Sequence, residues 1–165
     1  MKQVFSILVD NTSGVLARVS GLFSRRGYNI DSLTVGETAD PRYSRMTVVA
    51  SGDERVLEQI RKQLAKQEDV RDIKILDPNN SVNRELVLIK LRVTPEQRQN
   101  IIVLTHEFCG EIVDVGSRSL IIQMINKHQK VDAFLKLLQG NEILELARTG
   151  VTGLSRGMDD VRYLD

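Results

Sequence analysis

The chain has 165 residues, 41% hydrophobic and 27% charged, which provides a core for one ordinary domain or two small ones and argues against disorder. With 23 Lys+Arg against 22 Asp+Glu, the net charge of +1 excludes a general electrostatic footprint for nucleic acid. A single cysteine, Cys109, excludes an intramolecular disulfide and a multi-cysteine zinc site, and two histidines, His106 and His128, are too few for most histidine-rich metal centres.

The apolar runs, such as Leu86 to Ile89, are too short to span a bilayer. The first residues pass directly into an alternating apolar segment without a signal or transit pattern. A cytoplasmic setting is the expectation.

Gln3 to Val9 reads as a strand, nearly all apolar and therefore covered on at least one face. Asp10-Asn11-Thr12-Ser13-Gly14 is a turn. Val15, Val19, Leu22 and Phe23 then fall at helical spacing, with Thr12 or Ser13 as the expected N-cap. Arg25-Arg26-Gly27 closes that helix. Tyr28 to Glu37 is a second strand with a bulge expected at Asp31-Ser32. A hairpin loop containing Asp40-Pro41 leads to a third strand, Ser44 to Ser51. Asp53 to Lys66 is a helix and Val70 to Leu76 a fourth strand.

The composition of Asp77 to Ser81 marks a linker. The same element order then returns. It comprises a strand from Arg84 to Val93, a helix opened by Thr94-Pro95 and ended near Gly110, and a hairpin around Gly116-Ser117. A helix from Lys130 to Leu138 and a strand from Ile143 to Ala147 complete it. A Gly-rich tail runs on to Asp165. The expected fold is α+β, two tandem ferredoxin-like βαββαβ domains, with boundaries at 1–77 and 84–165 around a linker at 78–83. Phe23 to Ile30 lines up with His106 to Val113, placing Gly27 on Gly110. The second copy has no counterpart of the turn from Asn11 to Leu16.

No catalytic or metal-binding constellation emerges. His106 and His128 read as surface or helix-end residues. Cys109 sits at a helix C-terminus, where the dipole disfavours a thiolate. Gly150, Gly153 and Gly157 match no dinucleotide or phosphate loop. The candidate site is the first strand-to-helix turn. Gly14 leaves the backbone open where the helix starts, and the free amides of that first turn with the positive end of the helix dipole suit a carboxylate. Asn11 can hold either a carboxylate or an ammonium. The absence of Lys and Arg within the turn favours a small zwitterion over a phosphate. The usual strand order, 4-1-3-2, leaves the second strand at an edge without lysine or proline, so pairing with a second copy is expected. Asn29 and Ile30 of that copy would then face the first turn.

Asp10-Asn11, Gly14-Val15-Leu16, the run from Gly21 to Val35, Ser44-Arg45-Met46-Thr47, Arg148-Thr149-Gly150 and Gly153 to Gly157 together resemble the small, regulatory subunits of acetolactate synthase, built on an ACT domain. The resemblance implies an N-terminal ACT domain that dimerises and binds an effector, followed by an ACT-like domain. It also implies a non-catalytic protein that activates a catalytic large subunit and confers feedback inhibition by valine, with leucine or isoleucine as further effectors, in branched-chain amino acid biosynthesis. The implied effector residues are Asn11, Gly14, Val15 and Leu16 of one copy with Asn29 and Ile30 of the other. Thiamine diphosphate, Mg2+ and FAD are expected on the large subunit and no cofactor on this chain. The implied partners are a second copy, the large subunit and valine, with neither nucleic acid nor membrane. Two rivals stand beside this reading: an acylphosphatase-like hydrolase, which needs an arginine-supported phosphate cradle, and an ACT-type amino-acid sensor of another pathway.

Overall fold

The computed structural model describes residues 1–158. The described chain divides into two compact units, one made of Met1–Asn83 with the segment from Val151 onward, the other of Arg84–Gly150.

In the first unit β1 (Lys2–Asp10), α1 (Val15–Arg25), β2 (Ile30–Glu37), β3 (Tyr43–Ser51), α2 (Glu54–Ala65) and β4 (Val70–Ile75) follow the predicted βαββαβ order. The sheet runs β2-β3-β1-β4, so β2 lies at an edge. Phe5, Ile7 and Val9 of β1 and Met46, Val48 and Ala50 of β3 share one face. They pack against Val15, Val19, Leu22 and Phe23 of α1 and Leu57, Ile60 and Leu64 of α2. The expected bulge in β2 lies between Ile30 and Ser32.

The nearly unbroken apolar run of β1 has its reason in the opposite face. Ser6, Leu8, Thr47, Val49 and Leu76 are buried there as well. The Gly-rich tail contains a further strand, β9 (Thr152–Ser155), which lies against β3 and pairs with β5 (Ser81–Arg92). The Arg156 N–H donates to the Asn80 carbonyl at 2.9 Å, which places this pairing at the first residues of β5. Strand β5 therefore starts inside the segment read as a linker, and the tail returns to the first unit rather than to the second. The remainder of the expected tail, 159–165, lies outside the described residues.

The second unit contains the rest of β5, α3 (Pro95–Glu107), β6 (Glu111–Val115), β7 (Ser119–Asn126), α4 (His128–Leu137) and β8 (Glu142–Arg148). Its strand order, β6-β7-β5-β8, repeats that of the first unit. Val87, Ile89, Leu91, Leu120 and Ile122 pack against Ile101, Val131, Phe134 and Leu138.

The repeat is real, but its glycine register is one residue off. Gly27 takes φ 66°, the left-handed position that ends α1, and the following Tyr28 N–H donates to the Phe23 carbonyl at 3.0 Å. In the second unit Cys109 takes that position with φ 58°, and the Gly110 N–H donates to the Thr105 carbonyl at 2.8 Å. Gly110 thus matches Tyr28. It is small because a Cβ there would meet Thr105 Cγ2 at 3.0 Å and the Gln123 carbonyl at 3.3 Å.

Helix α3 starts with a full capping box. The Gln97 N–H donates to Thr94 Oγ1 at 3.3 Å and the Thr94 N–H to Gln97 Oε1 at 3.1 Å. Thr94→Ala removes one half of this exchange and is expected to lower stability by about 0.5–2 kcal/mol. Urea unfolding of wild type and variant measures it; a change within error would mean that solvent replaces the cap.

Candidate functional site

The turn after β1 starts α1 differently from the sequence expectation. The N-cap is Gly14, in the left-handed region at φ 85°, with no side-chain cap; Thr12 and Ser13 do not fill that role. Asp53 caps α2 by accepting from the Val56 N–H at 2.8 Å, and Thr94 caps α3, whereas α1 and α4 have no side-chain cap. The first-turn amides of any helix lack intrahelical acceptors. In α1 the Val15 N–H reaches only the Thr12 carbonyl, at 3.5 Å. Val15 is buried at 4% exposure, while Leu16 is 48% exposed beside the turn.

The turn is braced from three sides. The Asn11 N–H donates to the Arg42 carbonyl at 2.8 Å. Asn11 Nδ2 donates to the Pro41 carbonyl at 2.9 Å and to Glu37 Oε2 at 3.2 Å. Both hydrogens of the amide are thereby engaged and Oδ1 is the acceptor that remains, which suits an ammonium rather than a carboxylate.

Two arginines also converge here. Arg18 is one helical turn beyond Gly14, and its guanidinium folds back over it, so that a Cβ on Gly14 would lie 2.8 Å from Nη1. Arg18 makes a forked pair with Asp69, at 2.6 and 3.1 Å, and Arg71 a forked pair with Asp10, at 2.6 Å twice. The bond from Arg18 holds the Asp69 carboxyl below its usual pKa, and the same bond raises that of Arg18. The bond to Asp10 likewise raises Arg71. The sequence places Arg18 a helical turn beyond this turn; that its guanidinium folds back over Gly14 is what the structure adds. Each guanidinium already serves a carboxylate. The charge that an acylphosphatase-like phosphate cradle needs is therefore committed elsewhere.

Asn29 and Ile30 stand apart from the turn within one chain. Ile30 pairs with Ala50, which pairs with Gln3, at the opposite end of the sheet from Asp10. The steps along β1 from Gln3 to Asp10 span roughly 23 Å at about 3.3 Å per residue. Asn29 Nδ2 donates to Asp31 Oδ1 at 3.0 Å. Asp31 also accepts from the Ser51 hydroxyl and pairs with Lys2 at 3.6 Å. The Ser51 bond is the main cause of a lowered Asp31 pKa.

The second unit holds a polar cluster that local sequence patterns did not reveal. Glu85 has a side chain only 2% exposed, and Arg148 donates to its Oε1. Arg148 also donates to Asp132 Oδ1 at 3.0 Å. His128 lies between the two carboxylates, with Nδ1 3.2 Å from Glu85 and Nε2 3.2 Å from Asp132. Burial works to lower the Arg148 pKa, but its bonds to Glu85 and Asp132 outweigh that and raise it. Among the described residues no group of His, Cys, Asp and Glu is placed to hold a metal, and here Arg148 occupies the cation's role. Cys109 is exposed. An open cleft of about 410 Å³ lined by Gln3, Glu54, Arg55, Glu58 and Ile75 includes none of the predicted site residues. No described helix is long and apolar enough to cross a membrane.

Comparison with known proteins agrees with this architecture. The family model described as an AHAS small subunit-like ACT domain matches residues 5–72, and that of the small subunit of acetolactate synthase matches residues 84–157. The chain is 49% identical over 155 residues to a probable acetolactate synthase small subunit of Methanothermobacter thermautotrophicus, covering 93% of this chain and 92% of that one. It is 46% identical over 158 residues to the acetolactate synthase isozyme 3 small subunit of Escherichia coli, covering 95% and 97%. The crystal structure of the acetolactate synthase small subunit from Thermotoga maritima superposes with a TM-score of 0.88 at 40% identity, covering 96% of this chain and 99% of that one. With both family models matched in order along one chain, and with relatives aligned over nearly their full length, this protein belongs to the family of acetolactate synthase small subunits.

Proposed function

We propose that this chain is the non-catalytic regulatory subunit of a cytoplasmic acetolactate synthase. It raises the activity of the large subunit, which carries thiamine diphosphate, Mg2+ and FAD and condenses two pyruvates to acetolactate. It also transmits feedback inhibition by valine, and it carries no cofactor of its own. The observation that supports this most directly is the start of α1. There a left-handed Gly14 replaces a side-chain cap, next to an Asn11 whose amide hydrogens are already engaged.

The effector's carboxylate takes the first-turn amides beyond Gly14, including those of Val15 and Leu16, at the positive end of the helix dipole. Its ammonium takes Asn11 Oδ1. Two copies pair through the edge strand β2, so Asn29 and Ile30 of the second copy close the site and its apolar surface receives the branched side chain. The geometry within one chain is compatible with this, because these residues sit at opposite ends of the sheet. A ligand that spans two chains binds one relative placement better than another, and that difference is what regulates. A coupling of about 1–3 kcal/mol corresponds to roughly 5- to 150-fold regulation.

The test is reconstitution. The purified chain is added to a purified large subunit and acetolactate formation is followed with and without valine. Activation on addition and a fall with valine are expected. A large subunit indifferent to the chain would overturn the reading. Hydrolysis of an acylphosphate by the chain alone would favour the enzyme rival.

A further inference from the structure

The chain leaves the first unit at Asn83 and returns to it at Val151. The point of return is anchored to strand β2. The Val151 carbonyl accepts from Thr34 Oγ1 at 3.1 Å, and the Val151 N–H donates to Ser32 Oγ at 3.3 Å. Val151 itself is buried, at 8% exposure. The following strand β9 is fixed in turn against the start of β5. At Gly153 a Cβ would collide with the Asn83 side chain and lie 3.0 Å from the Val82 carbonyl, so glycine lets the two backbones pass closely.

These contacts use side chains of β2 and leave its outer backbone edge uncovered by them. Ser32 and Thr34 are therefore handles on a strand whose other resource, its main chain, remains available to a second copy. The same strand begins at Ile30, and the bulge separates Ile30 from Ser32. Residue 151 is bonded to β2 and directly follows Gly150, the last residue of the second unit.

We propose that this return segment is a coupling strap: Ser32, Thr34 and Val151 convey a displacement of β2 to the point where the second unit is tethered. Resting on the regulatory reading above, the strap gives the response to an amino acid held at Ile30 a covalent route to Arg84–Gly150. The three residues are positioning residues, since none belongs to the effector site.

Two variants isolate the strap in the reconstituted holoenzyme. In Ser32→Ala with Thr34→Val the handles are removed at nearly constant volume. In the other, two glycines inserted between Gly150 and Val151 leave the handles intact but give the tether slack. Calorimetry of valine on each chain and acetolactate assays across valine concentrations separate binding from response. Both variants are expected to bind valine with affinity within roughly threefold of wild type and to activate the large subunit, while maximal inhibition falls by about twofold or more. A merely structural strap would lower binding and activation together. Full inhibition in both variants, with the wild type inhibited, would overturn the strap alone. A wild type that neither binds valine nor responds to it would remove the regulatory reading and the strap with it. If the double substitution fails to fold, the insertion variant decides.

Discussion

Gly14→Asp is expected to abolish valine inhibition at concentrations that inhibit the wild-type holoenzyme, while activation of the large subunit persists. The new carboxylate would sit beside the first-turn amides of α1 and occupy them as an intramolecular competitor. It would also repel the effector's carboxylate. A like charge about 4 Å away costs about 1 kcal/mol in water and about 4 kcal/mol at an effective dielectric of 20, or roughly 5- to 900-fold in affinity. Arg18 adds a second route. Its guanidinium lies 2.8 Å from where the Cβ would be, so the introduced carboxylate competes with Asp69 for it. Gly14→Ala separates the contributions. It imposes the left-handed strain of about 1–2 kcal/mol without the charge, and should weaken valine less than the aspartate does. Titrating acetolactate formation with valine measures both variants. An aspartate variant with the wild-type midpoint would remove the carboxylate from this turn.

Arg148→Ala is expected to produce the largest loss of stability in the second unit, about 3–5 kcal/mol. The reason is Glu85, whose nearly inaccessible carboxylate would lose its principal cation. Arg148→Met paired with Glu85→Met removes both charges and should recover most of the stability, because an apolar replacement of the pair is tolerated where a stranded charge is not. Denaturant midpoints of the wild type and the two variants decide this. A loss below about 1 kcal/mol for Arg148→Ala would mean that water reaches Glu85 readily.

Element order and strand order were legible because each depends on local periodicity and short connections. The alternation of Met46, Val48 and Ala50 and the helical spacing of Leu57, Ile60 and Leu64 name their own buried faces. What escaped depends on features that periodicity does not encode. Thr12 and Ser13 look like caps by residue type, but the left-handed backbone at Gly14 moves the helix start past them. The one-residue slip in the repeat arose because Cys109 takes a dihedral that glycine usually fills. Strand β9 is four residues long, contains Gly153 and lies between Gly150 and Gly157, so composition reads it as a tail. Glu85 and Arg148 are 63 residues apart, beyond any local pattern. For the candidate site, the contiguous turn was visible as a group. The backward reach of Arg18 and the spending of the Asn11 donors on Glu37 and Pro41 required coordinates.

The pairing of β9 with the first residues of β5 makes the second unit an insertion between residues 83 and 151 of the first. Simple C-terminal truncation at residue 83 is therefore a poor dissection. It would strip away the strand that lies against β3 and unroof the apolar back of the sheet around Val49. A cleaner excision splices Asn83 to Val151 through a two-residue reverse turn, so that the ribbon becomes an ordinary hairpin. Such a miniature would retain β1 through β4 together with their cover, and would report what the amino-terminal half does when nothing hangs from it.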